Sequence, residues 1–126
     1  MMVIILVKIE KIKKLPMKIS FDFDNTLDKK FVRQLCRYLI SKHHDIYIVT
    51  TRRYNTLEGQ DPDMYNKDLF ESVAKLGIKR DNIIFTEYEW KYQILDKMNI
   101  DVHYDDNESE FKFAKENNAK VKIIIV

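Results

Sequence analysis

Glycine and proline are scarce in this chain, with two of each among 126 residues. That argues against disorder and against a turn-dense all-β fold. Cysteine is nearly absent. A lone Cys36 cannot close an internal disulfide, which points to a reducing compartment and a cytoplasmic location. No apolar run is long enough for a bilayer: MMVIILV at the front is too short, and its lysines follow it rather than precede it as a secretory signal requires. No membrane partner is expected. A strong charge bias is missing too. Residues 1–16 hold four lysines and one acid; without them, 18 basic and 19 acidic residues leave a net charge of −1. Nothing in that balance recruits nucleic acid; any such affinity would need a local patch.

The composition is that of one ordinary globular domain, 45% apolar and 33% charged. Residues 17–126 read as that single domain, with Met17 a natural start. Residues 1–16 read as an extension of open status: an added strand, a loose tail or the product of an upstream start codon. From Lys18 onward, apolar strands alternate with amphipathic helices. KISFDF, DIYIVT, NIIF, IDVHY and VKIIIV read as strands. Between them, Phe31, Leu35 and Leu39 with Val32, Cys36 and Ile40 mark a helix. Tyr65, Leu69, Val73 and Leu76 mark another, stopped by Gly77. Thr86 with Glu89 suggests a capping box ahead of a helix burying Trp90, Ile94, Leu95 and Met98 and ending at Asn99. Asn107 with Glu110 suggests a capped helix running to about Asn117. Such alternation predicts a five-stranded parallel sheet with helices on both faces, binding its ligand beyond the carboxyl ends of the strands.

Polar residues gather at that edge. The first strand ends in Asp22 and Asp24, the second in Thr50 followed by Thr51 and Arg52, and the fourth in Asp105 and Asp106; Lys91 lies early in the helix after the third. Ionised carboxylates are rarely buried without a counter-charge or a metal. Packed together they raise one another's pKa unless a cation lies between them. An all-oxygen ligand set suits Mg²⁺.

These residues resemble the four motifs of the haloacid dehalogenase-like (HAD) phosphohydrolases. DFDNTL is similar to the first motif, IYIVT to the second, Lys91 stands where the third expects lysine, and VHYDD is similar to the fourth. Response-regulator receivers place their residues in a different order. The resemblance covers about residues 17–126. It implies a three-layer α/β/α sandwich around a Rossmann-like, HAD-type sheet. It further implies a phosphomonoester hydrolase in which Asp22 is the nucleophile, forming an aspartyl-phosphate, and Asp24 the general acid and base. Thr50 and Lys91 would bind the phosphoryl oxygens. Mg²⁺ would be held by Asp22, the Asp24 carbonyl, and the Asp105/Asp106 pair. An acid at position 24 favours phosphate transfer over dehalogenation.

The chain departs from many relatives in leaving no room for a cap domain, since DKK runs directly into the first helix and TEYE into the lysine helix. An open site is the expectation; relatives without caps often accept bulky substrates or borrow a lid from a neighbouring subunit. Arg52, Arg53 and Tyr54, in the one long loop at this edge, are candidates to meet a nucleotide or a nucleic-acid end. The plainer reading of that loop is solvated chain. Cys36 and Trp90 read as core, His43 and His44 as exposed turn residues, and His103 as a packed histidine. Two functions compete: hydrolysis of a phosphorylated substrate, and a non-catalytic module that binds a phosphorylated partner. Hydrolysis and phosphoryl transfer to another acceptor are not separable by sequence.

Overall fold

A computed structural model describes residues 16–55 and 61–126, so the expectations for the N-terminal extension, Pro16 apart, lie outside the described residues. The elements run β1 (Lys18–Phe21), α1 (Lys30–Ser41), β2 (Asp45–Thr50), α2 (Pro62–Tyr65), α3 (Lys67–Lys75), β3 (Ile83–Phe85), α4 (Tyr92–Lys97), β4 (Val102–Asp105), α5 (Glu108–Glu116) and β5 (Lys122–Ile125). All five strands are parallel, in the order β3-β2-β1-β4-β5, giving a mixed α/β, Rossmann-like fold. No described helix is long and apolar enough to cross a membrane.

Apolar pattern explains the arrangement. The inner strands β1 and β4 are buried almost throughout, as strands of parallel sheets usually are. Successive side chains on β2 feed different clusters. Ile48 packs with Ile19, Phe21, Leu35 and Val73, whereas Val49 packs with Leu95, Ala114 and Ile123. Phe21 stacks on Tyr104 of β4 with centroids 4.9 Å apart. After β3 the chain crosses back past β1 to lay down β4, so the strand order reverses at β1. In open α/β sheets the crevice at such a reversal is the ligand site.

Four helices end in the same way, and only one uses glycine to do so. His43, Gly77, Asn99 and Asn118 each adopt a left-handed conformation, with φ between 53° and 78°. The next residue then donates its N–H to the carbonyl five positions back: His44 to Leu39, Ile78 to Val73, Ile100 to Leu95, and Ala119 to Ala114. This satisfies carbonyls that a helix end leaves open. Asparagine and histidine thus stand in for the glycines the chain lacks.

Several expectations need correcting. His44 is buried, not exposed, because its Nδ1 accepts the Met17 N–H at 3.1 Å and ties the start of β1 to the end of α1. The helix predicted from Tyr65 onward is two helices broken at Asn66, whose amide is committed to the carbonyls of Arg53 and Tyr54. Thr86 and Glu89 form no capping box. The N–H groups of Thr86, Glu87 and Tyr88 donate to the carbonyls of Thr50, Arg52 and Thr51, which pins this turn to the end of β2 and delays α4 to Tyr92. Trp90 is half-exposed, packed at a tilt against Phe113 with centroids 4.1 Å apart, rather than core. Asn107 does cap α5, accepting the Ser109 N–H at 2.9 Å. Cys36 is buried, and burial pushes its thiol up to about 12.

Candidate functional site

β1 stops at Phe21, one residue short of Asp22, but its pairing does not. The Asp22 N–H donates to the Tyr104 carbonyl at 2.9 Å, which carries the β1–β4 register one step further and sets Asp22 beside Asp105. The backbone then coils through Phe23–Leu27, with Asn25 left-handed at φ 57°. That coil separates the two aspartates of DFD. Asp22 is buried, whereas Asp24 is exposed.

Lys91 fills the space between the strands. Its ammonium donates to Asp22 Oδ1 and to Asp105 Oδ2, both at 2.7 Å, and it is itself buried. Its backbone is held as well, for Glu110 of α5 accepts the Lys91 N–H at 3.0 Å. The Thr26 hydroxyl lies 3.3 Å from both Asp22 Oδ2 and Asp106 Oδ1. A cleft of about 510 Å³ opens over these groups, lined also by Asp24, Asn25, Thr51 and Glu108.

Burial and charge act on the two carboxylates in opposite directions. Burial raises Asp22 to about 7, with Lys91 opposing and Asp105 reinforcing the rise. Burial also works to raise Asp105, but His103 and then Lys91 hold it well below the usual carboxylate range. Lys91 is held above the usual lysine value; burial opposes this, but the charges of Asp22 and Asp105 outweigh it. Two environments that push a carboxylate pair apart are the usual setting for divided chemical roles.

Asp22, Asp105 and Asp106 each offer an oxygen, all within 4.8 Å of one another. Three hard oxygen donors beside a cleft fit a small divalent cation, which keeps several waters for itself. The lining carries Asp22, Asp24, Asp105, Asp106, Glu108 and Glu110 against Lys91 alone. An anionic ligand would meet repulsion here unless a cation offset those charges.

The residues chosen from sequence divide into two groups. Asp22, Lys91, Asp105 and Asp106 converge. Asp24 lines the same cleft, but its carboxylate takes two hydrogen bonds from Arg52, at 2.9 and 2.7 Å. Arg52 also grips Asp68 through two contacts, at 2.8 and 2.9 Å. Thr50 is fully buried and accepts the Arg52 N–H at 3.2 Å, while its neighbour Thr51 lines the cleft. Tyr54 packs edge-on against Phe85, and the carbonyls of Arg53 and Tyr54 are held by Asn66. Residues 56–60 of that loop lie outside the described residues.

Sequence reasoning missed Thr26, Glu110, and the pair Ser20 and His103 behind the site. Ser20 and His103 carried a readable signal. Each precedes a site aspartate by two positions on a strand and therefore shares its face. Glu110 carried none, since three residues after Asn107 it passes for a capping residue.

A scan against protein-family models finds no match for this sequence, and a search of curated proteins finds no significant one.

Proposed function

We propose that the chain is a Mg²⁺-dependent phosphomonoester hydrolase of the HAD-like type, cytoplasmic, with a three-layer α/β/α sandwich and no cap domain. One observation carries the reading: Asp22, Asp105 and Asp106, from neighbouring strands at the reversal of strand order, meet over a single buried lysine.

In this reading Asp22 attacks phosphorus, an Asp22 oxygen–phosphorus bond forms, and the bond to the leaving oxygen breaks. Asp24 gives that oxygen its proton, then takes one from the water that cleaves the aspartyl-phosphate. Lys91 keeps Asp22 oriented and offers its charge to the phosphoryl oxygens, with Thr50 or the adjacent Thr51 supplying a hydroxyl. Asp22, Asp105, Asp106 and the Asp24 carbonyl would hold Mg²⁺, which when bound offsets the charge of both Asp22 and the substrate. The open cleft suits a substrate whose phosphate sits at an accessible end, such as a nucleotide or a nucleic-acid terminus. Transfer to an acceptor other than water uses the same residues.

The test is hydrolysis of an aryl phosphate with and without Mg²⁺. Turnover is expected with the metal, and loss of it in a folded Asp22→Asn variant; equal turnover in that variant would overturn the mechanism. A second reading draws support from the Arg52 clamp, which occupies both oxygens of Asp24 and so competes with its proton-transfer role. A binding module for a phosphorylated partner would bind phosphate with Mg²⁺ and never turn it over. Trapping of an aluminium fluoride adduct by the wild type counts against the module.

A further inference from the structure

We propose that His103, held in turn by Ser20, is a positioning residue that fixes the plane of Asp105 and presents one of its oxygens to a divalent cation. The inference rests on the metal-dependent reading of the site.

An ionised carboxylate has about four lone-pair positions. At Asp105 three are taken by fixed donors: Oδ2 accepts from Lys91 at 2.7 Å and from His103 Nε2 at 2.8 Å, and Oδ1 accepts the Asn107 N–H at 3.0 Å. The fourth is left on Oδ1. Asp105 is also one of the three aspartates whose oxygens gather within 4.8 Å.

His103 in turn is anchored from the neighbouring strand. Its Nδ1 lies 2.7 Å from Ser20 Oγ, and Ser20 and His103 are register partners across β1 and β4. Both are fully buried. A carboxylate only accepts, so Nε2 carries the ring proton. Nδ1 then faces the serine hydroxyl, which holds the ring from its other side.

Core packing alone does not account for this pair. Two apolar side chains would fill the same space between the strands without desolvating a hydroxyl and an imidazole. A serine–histidine–aspartate chain also suggests a nucleophile, but Ser20 lies sealed inside the sheet, where no substrate reaches its oxygen. What remains is orientation. The Asn107 N–H holds Oδ1, but on the Oδ2 side Lys91 supplies charge through a rotatable ammonium, which does not by itself fix a direction. A planar ring fixed at both nitrogens does. Hydrogen bonds to the ligands of a metal orient them and tune affinity in this way.

The experiment measures Mn²⁺ binding to the full chain by the electron paramagnetic resonance signal of the free ion, with urea unfolding of every variant alongside. His103→Phe, which removes both hydrogen bonds, is expected to weaken Mn²⁺ binding by about 10–100-fold. His103→Gln, whose amide can still donate to Asp105, is expected to bind close to wild type. Ser20→Ala is expected to weaken binding by about threefold. A purely structural histidine would lower the urea midpoint and leave affinity alone. Wild-type affinity in folded His103→Phe, with binding lost in Asp105→Asn, overturns the inference and spares the metal site. Should His103→Phe fail to fold, unchanged affinity in Ser20→Ala overturns it instead. A wild type that holds no Mn²⁺ overturns the proposed function and this inference together.

Discussion

Two carboxylate–cation–carboxylate arrays stand at the same edge of the sheet, built from the two aspartates of one short stretch, FDFDNTL. Asp22 shares Lys91 with Asp105; Asp24 shares Arg52 with Asp68. The side chains of the first array are 9%, 2% and 1% exposed, in the order Asp22, Lys91, Asp105. Those of the second are 50%, 22% and 62% exposed, in the order Asp24, Arg52, Asp68. Both arrays set two carboxylates against one cation, but in the buried inner one the members shift one another's proton affinity. The outer array matches planar guanidinium to carboxylate, holds Arg52 above its usual range through hydrogen bonds to Asp68 and Asp24, and stays in contact with water. Similar groups thus acquire different duties through solvent access. Asp22 is sealed against a buried lysine, and the exposed clamp governs where Asp24 points.

Substitutions should separate the two arrays most clearly in turnover. In the proposed mechanism no other group supplies the nucleophile, so Asp22→Asn is expected to lower aryl phosphate hydrolysis by at least about 10⁴-fold. Asp24→Asn should cost about 10²–10⁴-fold, the usual worth of a general acid. Equal losses in steady-state assays would erase the distinction.

Stability should divide them next. Lys91→Met leaves Asp22 and Asp105 facing each other without a counter-charge, and urea unfolding should report a loss of about 3–5 kcal/mol. Arg52→Met strips the outer clamp and should cost under about 1 kcal/mol, since its carboxylates return to water. A Lys91→Met variant as stable as Arg52→Met would show the inner array to be far better solvated than its geometry implies.

The smallest effect is one of pH. Hydrogen bonds from Arg52 hold Asp68 below the usual carboxylate range. Its stabilising contribution is therefore present above the unfolded carboxylate value, about 4, and is lost as pH falls through the folded one. Comparing wild type with Asp68→Asn in urea should give a gap under about 1 kcal/mol at pH 7 that closes toward pH 3. A gap that widened on acidification would reverse the sign.

How much of this was readable beforehand depends on the range of the interaction. DIYIVT is β2 to the residue, and Gly77 and Asn99 stop their helices where expected, because periodicity and left-handed termini are local properties. Asp22, Lys91, Asp105 and Asp106 were legible as a group because the carboxyl ends of parallel strands must share an edge. The partners of Asp24 were not, since Asp68 lies on a helix 16 residues beyond Arg52. Nor was the tie between Glu110 and the Lys91 backbone, which depends on how α5 meets the start of α4.

The order of letters alone determined the alternation of strands and helices, the parallel sheet, and the presence of acids and a lysine at its rim. These follow from spacing along one chain, which every element carries within itself. Only the tertiary structure decided that β1 lies between β2 and β4, that the chain coils after Asp22 so that one aspartate is sealed and the next solvated, and that Ser20 and His103 stand behind Asp105. Hydrogen bonds between distant segments exist only once strand order and register bring their atoms within reach, and neither quantity is written in any local pattern.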